Sequence, residues 1–175
     1  MYLKGYHIIG FIFTVILGTL LHFTYQLSGN NIIVGYFSAI NESTWEHLKL
    51  LITPVIIFSI FEYFIYGKNI NNFILLKALT MLLGMFVIVA SFYTYTGILG
   101  NNYLPLDIGT FILGTFTTYY FSYRFIQKRF LYNKNINYIG LFIIAFVIFC
   151  MIYFTTNPPK IKLFLDPQTN TYGVQ

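Results

Sequence analysis

The chain has 175 residues, of which 57% are hydrophobic and 21% aromatic, and only 9% are charged. A soluble domain carries about 25% charged residues, and the mean hydropathy of this chain is +0.70. Side chains of this composition could not cover a water-exposed surface. We therefore predict an integral membrane protein that is surrounded mostly by membrane lipids. The net charge of +5 does not indicate a nucleic-acid partner, because the basic residues flank apolar segments, where they set membrane topology.

Five apolar segments are long enough to span a membrane, since a hydrocarbon core of ~30 Å takes about 20 helical residues. The predicted spans are residues 6–26, 44–66, 73–95, 107–126 and 136–155. Residues 32–40 are apolar but too short to span, so we expect an interfacial or re-entrant segment there. The expected fold is an all-α bundle of about five transmembrane helices within residues 1–156, followed by a tail over residues 157–175.

The distribution of lysine and arginine predicts the orientation of these spans. With the N-terminus in the cytoplasm, the two outer loops, residues 27–43 and 96–106, hold no lysine or arginine. The cytoplasmic side then holds Lys4, Lys68, Arg124, Lys128, Arg129 and Lys134. Only the tail, with Lys160 and Lys162, departs from the positive-inside rule. The sequence predicts a cell-membrane protein with a cytoplasmic N-terminus and an extracytoplasmic C-terminus.

Acidic residues and histidines gather at the outer ends of these spans. The acidic residues there are Glu42, Glu46, Asp107 and Asp166, and the histidines are His22 and His47. Small and hydroxyl residues at four-residue spacing mark the inward faces of the first and fourth spans, and His22 and Asp107 lie on those faces. Converging imidazoles and carboxylates without nearby basic residues indicate a cation site. The candidate metal ligands are His22, Glu42, His47 and Asp107.

Ordinary structural roles also fit members of this set. Ser43 and Glu46 match a capping box at the start of the second span, and Asp107 can cap the fourth helix. His22 can be a packing residue. Because successive side chains on a helix are ~100° apart, Glu46 and His47 do not point at one small ion. The alternatives for a shared site are His47 with Glu42, or Glu46 with a residue from another helix.

Three neighbouring features have predicted contacts of their own. Trp45 has the position of an interfacial aromatic anchor. Lys49 is expected to snorkel outward or to pair with Glu42 or Glu46. At the cytoplasmic end, Glu62 and Lys77 lie on consecutive antiparallel spans, and we expect an ion pair between them.

The tail is the longest segment outside the predicted spans. The dipeptide at Asp166 and Pro167 is typical of a turn. From Thr155 to Asp166 an extended chain reaches at most ~35–40 Å, which is enough to fold back over the outer opening. We expect the tail, including Asp166 and Tyr172, to lie close to the outer cluster.

Two stretches resemble a small, uncharacterised family of multi-span bacterial membrane proteins. Residues 41–49 read Asn-Glu-Ser-Thr-Trp-Glu-His-Leu-Lys, with Asn41 first, and residues 166–173 read Asp-Pro-Gln-Thr-Asn-Thr-Tyr-Gly. The resemblance covers most of the chain and implies no established activity or protein partner. The outer cluster is also loosely similar to membrane hydrolases of the ceramidase and adiponectin-receptor type, which hold zinc with three histidines. This chain has two histidines on the corresponding face.

Two functions follow as hypotheses. One is a non-enzymatic membrane protein, such as a carrier or an accessory subunit, that uses the outer cluster as a cation or substrate site. The alternative is a metal-dependent hydrolase of a lipid or lipid-linked substrate, in which zinc on His22, His47 and a carboxylate lowers the pKa of bound water to about 7. Glu46 and His47 are then the candidate catalytic residues, with Glu46 or Glu42 as general base.

Overall fold

Apolar stretches form long helices where the sequence predicts them. The computed structural model describes residues 2–174. Its α-helices are α1 (Tyr2–Leu27), α2 (Ile32–Gly35), α3 (Thr44–Ile65), α4 (Phe73–Leu99), α5 (Leu104–Gln127) and α6 (Asn137–Thr156). Short 3-10 turns occupy Gly67–Asn69, Lys134–Ile136 and Lys162–Phe164. The four-residue α2 lies within the segment that is too short to span.

Four helical segments in the described part of the chain are long and apolar enough to cross a membrane. They are Leu3–Leu27, Thr44–Ile65, Phe73–Leu99 and Lys134–Thr156. The remaining long helix, α5, has 24 residues but is less apolar, because it includes Asp107, Arg124 and a series of threonines. The structure therefore confirms an all-helical fold with four candidate membrane-spanning helices.

Helix ends follow local signals in the sequence. Ser43 caps the N-terminus of α3, where its side chain accepts a hydrogen bond from the Glu46 N–H. Gly100 ends α4 with a φ of 76°, a left-handed conformation that glycine adopts without steric cost. Pro105 lies in the first turn of α5, where no backbone N–H is needed. The end of α4 and the start of α5, which includes Asp107, are therefore joined by a short loop.

Small residues mark the places where the long helices approach one another. The helix α4 packs along α5 and α6, and α1 packs against α3 and α5. A Cβ atom at Gly84 of α4 would meet the Thr118 hydroxyl and lie 2.8 Å from the Gly114 carbonyl oxygen of α5. A Cβ atom at Gly18 of α1 would lie 2.5 Å from the Leu50 carbonyl oxygen of α3. The predicted small-residue faces are therefore contact faces between helices.

A buried ion pair joins α3 to α4. The Lys77 ammonium group contacts the Glu62 carboxylate, and the side chains are 3% and 0% exposed. The Tyr66 hydroxyl donates a second hydrogen bond to Glu62, and the Lys77 ammonium lies 5.3 Å from the centre of the Tyr119 ring. The ion pair predicted from the sequence is confirmed.

This pair predicts a strong coupling in a double-mutant cycle. Lys77→Met leaves the Glu62 carboxylate buried without its cation, and we expect a loss of about 3–5 kcal/mol in unfolding free energy. The double variant Glu62→Leu/Lys77→Met removes both charges and should recover most of that loss. The measurement is denaturant or thermal unfolding in detergent. Losses that simply add in the double variant would contradict the pairing.

Candidate functional site

Three side chains with potential metal-binding atoms meet where α1 passes the start of α3. His22 belongs to α1, Glu42 to the loop before α3, and His47 to the first turn of α3. The His22 Nε2 atom is 3.8 Å from Glu42 Oε1, and the His47 Nε2 atom is 3.4 Å from Glu42 Oε2. One ligand atom from each residue lies within 4.8 Å of the others. Each side chain is about one-third exposed, so solvent reaches all three.

The start of α3 decides which nitrogen of His47 faces this cluster. His47 Nδ1 lies 2.9 Å from the Ser43 carbonyl oxygen, and a carbonyl oxygen only accepts hydrogen bonds, so Nδ1 carries a proton. Nε2 is left to bond Glu42 or a metal ion, which is the usual arrangement of a metal-binding histidine. The hydrogen bond from His47 is also the main cause that lowers the pKa of Glu42. This carboxyl group therefore stays ionised, as a metal ligand must.

These three residues form one wall of a cavity of about 290 Å³. Asp107, in the first turn of α5, lines the same cavity and accepts hydrogen bonds from the Tyr95 hydroxyl and from Asn102 Nδ2, the latter at 3.2 Å. Pro167 and Gln168 of the tail line it as well. Its apolar wall consists of Leu50, Ile88, Phe92, Leu104 and Phe111. The cavity thus combines a polar cluster with an apolar face.

The carboxylates of this cavity have histidines beside them but no lysine or arginine. No lysine or arginine lines it. Among residues 2–174, neither Glu42 nor Asp107 forms an ion pair with lysine or arginine. The nearby Lys49 is fully buried, and its ammonium group donates to Glu46 at 2.6 Å, to Thr155 at 2.6 Å and to the Gly35 carbonyl at 2.9 Å. The lysine nearest to the cavity is therefore used by Glu46 and does not reach Glu42 or Asp107.

Glu46 lies outside the cluster. Its carboxylate is 2% exposed in the folded chain, pairs with Lys49 and accepts a hydrogen bond of 3.1 Å from the Ile40 N–H. Glu46 therefore does not line this cavity, although the sequence groups it with the other acidic residues at the outer helix ends. The reason is that Lys49 lies three residues further along the same helix face and draws the carboxylate away from His47. Of the contacts predicted for Lys49, the pair with Glu46 is present. The ammonium group of Lys49 does not extend to the surface.

Trp45 holds the tail in place and does not sit at an exposed surface. It is 9% exposed, and its ring centroid lies 5.0 Å from that of Phe164 and 5.4 Å from that of Phe154. The prediction of an interfacial anchor for Trp45 is wrong, because the tail folds back and covers the indole. The aromatic contact joins α3, α6 and the tail.

The tail ends in a short turn that closes against the loop before α3. Asp166 is buried, and its carboxylate accepts hydrogen bonds from the Gln168 N–H at 2.8 Å and the Thr169 hydroxyl at 2.9 Å. Tyr172 forms an antiparallel bridge with Leu165. Asn41 Nδ2 donates to the Gly173 carbonyl oxygen at 3.1 Å. Residues 166–173 therefore lie beside the outer cluster, as predicted for the tail from the sequence.

Three further residues reach the site without a site role predicted from the sequence: Tyr95, Asn102 and Gln168. Tyr95 lies at the end of the inward face of α4, directly opposite the start of α5, and that position is the signal that pairs it with Asp107. Asn102 precedes α5 by two residues and faces the same carboxylate. For Gln168, the only feature of the sequence that indicates a place near the site is its position after the turn at Asp166 and Pro167.

The donor set of this cluster suits zinc, although its atoms are farther apart than bound ligands. Ligand atoms at ~2.0–2.1 Å from a tetrahedral ion lie about 3.3–3.4 Å from one another. The two histidines approach different oxygens of Glu42, at 3.4 Å for His47 and 3.8 Å for His22, and one atom from each of the three residues lies within 4.8 Å of the others. Two imidazole nitrogens and one carboxylate suit zinc, whereas magnesium and calcium take oxygen ligands. Three protein ligands would leave the fourth position open toward the cavity.

Comparison with protein-family models matches residues 2–174. No curated protein and no solved structure matches the chain. The match agrees with the uncharacterised family that the sequence resembles, and it carries no activity or substrate. Since it covers nearly the whole chain, the chain belongs to the family of unknown function DUF6512.

Proposed function

We propose that this chain is a multi-pass membrane protein that binds a divalent transition-metal ion, zinc, through His22, Glu42 and His47. The observation that carries the proposal is the convergence of two imidazoles and one carboxylate within 4.8 Å, in a cavity without lysine or arginine. His47 is oriented for this role by the Ser43 carbonyl. Asp107 lines the same cavity and adds negative charge near the ion without belonging to the three-residue cluster.

The membrane topology in this proposal has five spans, with α5 as the fourth. Although α5 is less apolar than the others, it packs along α4 and α1, so its threonines face other helices. Thr115 and Thr118 are 0% and 1% exposed, and hydroxyl residues are common at helix contacts in lipid. With the N-terminus in the cytoplasm, the metal cluster and the tail lie on the extracytoplasmic side, in accord with the positive-inside rule.

The topology is tested by reporter fusions. A reporter fused after Lys68 should report the cytoplasm, and the same reporter fused after Asn101 should report the outer side. The physical reason is that one membrane span, α4, separates the two positions. Reports from the same side would contradict both the orientation and the number of spans.

A second function, hydrolysis of a lipid-like substrate, is favoured by one observation. The open coordination position would face a cavity with an apolar wall, which is suited to a hydrocarbon chain. Zinc would lower the pKa of a bound water to about 7. Since Glu46 is held by Lys49, Asp107 is the carboxylate in this cavity that remains for proton transfer. Turnover of a lipid ester or amide that depends on zinc and on Asp107 would distinguish this function from a non-enzymatic metal site.

Metal binding is tested by titrating zinc into purified, chelator-treated protein. We expect one zinc ion per chain, and a loss of affinity of at least about 100-fold in His47→Gln and His22→Gln, because even second-shell changes cost 10–100-fold. The matched control is His7→Gln. His7 lies on α1 like His22, but its Nε2 bonds the Ser122 hydroxyl at 3.1 Å and it is not in the cluster.

The His7 variant should keep its zinc affinity. The thermal midpoint of each zinc-free variant shows whether it is folded. Equal losses of zinc in all three histidine variants, or no stoichiometric zinc in the unmodified chain, would contradict the proposal.

A further inference from the structure

A second cavity lies on the other side of Glu42. It has a volume of about 310 Å³, and its walls come from the end of α1, the loop before α3 and the tail. Its polar lining includes Tyr25, Gln26, Asn30, Asn41, Asp166 and Thr169. Glu42 and Gln168 line both this cavity and the first one. We name the second cavity the head chamber and the cavity with the apolar wall the chain chamber.

The two chambers differ in the chemistry of their walls. The chain chamber presents Leu50, Ile88, Phe92, Leu104 and Phe111. The head chamber presents mostly amides, hydroxyls and backbone of the tail turn. A ligand that occupies both chambers and passes Glu42 needs an apolar end for the chain chamber and a polar end for the head chamber. Each chamber is near the lower limit of ligand pockets, which are about 300–1,000 Å³, so a ligand of ordinary size would occupy both.

The charges in the head chamber exclude an anionic polar end. No lysine or arginine lines either chamber, and a phosphate there would face the carboxylates Glu42 and Asp166. A cationic end is disfavoured as well, because these carboxylates are engaged. Asp166 accepts hydrogen bonds from its own turn, and Glu42 faces His22 and His47. The side chains proposed to contact a ligand are the uncharged amides of Gln26, Asn30 and Gln168.

One residue of the chain chamber is also part of the apolar surface of α5. Leu104, at the start of α5, is 71% exposed and lines the chamber. The neighbouring Ile108 is 49% exposed on the same helix. A hydrocarbon chain that lies beside the start of α5 would therefore meet apolar side chains both outside and inside the chamber.

We propose that the two chambers bind one amphiphile with an uncharged, hydroxyl- or amide-bearing head and a single hydrocarbon chain, its junction at Glu42. This deepens the proposed function and rests on it for one point, that the junction lies beside the metal. The head contacts Gln26, Asn30 and Gln168. The chain lies along Phe92 and Phe111.

The experiment uses the full chain in lipid nanodiscs, since sugar-headed detergents are themselves uncharged amphiphiles. The probe is a monoacylglycerol with a 14-carbon chain and a photoactivatable group at the chain end, and labelled residues are mapped by mass spectrometry. Labelling should concentrate at Phe92, Leu104 and Phe111. Unlabelled monomyristoylglycerol should compete at least about tenfold better than its glycerol-phosphate counterpart, because like charges placed together cost several kcal/mol.

Substitutions in the head chamber separate binding from structure. Gln26→Leu should weaken labelling, whereas Gln127→Leu should not, because Gln127 is an exposed glutamine at the opposite end of the bundle that bonds Tyr123. Gln26→Arg should shift the preference toward the anionic competitor, a gain that a merely structural residue would not produce. Zinc affinity, measured on the same samples, should stay unchanged in Gln26→Leu and Gln127→Leu.

The two proposals fail in different ways. Labelling scattered over lipid-facing residues, or equal competition by the two lipids, overturns the amphiphile proposal even if zinc binds. Labelling confined to the chain chamber in a protein that binds no zinc supports the amphiphile and overturns the metal site.

Discussion

Neutralisation of buried charge is the constraint on which this structure depends. In an apolar bundle a buried charge is tolerated only next to an opposite charge or several hydrogen bonds. The lysines inside the bundle obey this rule, since Lys77 pairs with Glu62 and Lys49 pairs with Glu46. The Lys77 pair joins the consecutive helices α3 and α4, whereas Glu46 and Lys49 both belong to α3. Lys49 also connects α3 to the carbonyl of Gly35 and to Thr155 of α6.

Because both buried lysines are used in this way, Glu42 and Asp107 are left without a lysine or arginine partner among residues 2–174. Glu42 faces two histidines, and Asp107 is held by the Tyr95 hydroxyl and Asn102. Lys49 holds the Glu46 carboxylate in the interior. Glu42 is therefore the carboxylate that remains beside the two histidines. The proposed cation completes the same charge balance in the outer cavity that lysine completes in the bundle.

A short local motif links the backbone to the outer cluster. Ser43 caps α3 with its side chain, and its carbonyl oxygen fixes His47 one turn later. Asn41 accepts from the Ser43 N–H and donates to the tail at Gly173. The residues that begin the helix are thus the ones that orient a histidine and hold the tail beside it.

The sequence was sufficient for the long helices and for one ion pair, because both depend on local apolar length and on charges at consecutive helix ends. The bounds of α3 and α6 differ from the predicted spans by no more than a residue. The sequence also named His22, Glu42, His47 and Asp107, which share one cavity.

The remaining features depend on tertiary contacts. Glu46 could not be separated from the cluster without knowing that Lys49 and the Ile40 N–H hold it. Trp45 could not be assigned to the core without Phe164, which the tail supplies from far along the chain. The head chamber is lined by residues from three separate segments of the chain, so no spacing rule predicts it.

The central claim, that His22, Glu42 and His47 hold a metal ion, is tested most directly by X-ray absorption at the zinc edge. The protein with one equivalent of zinc should show about four nitrogen and oxygen ligands at ~2.0–2.1 Å, with outer-shell scattering from two imidazoles. In His47→Gln one imidazole should be lost. A spectrum of oxygen ligands without imidazole scattering, unchanged in that variant, would contradict the account.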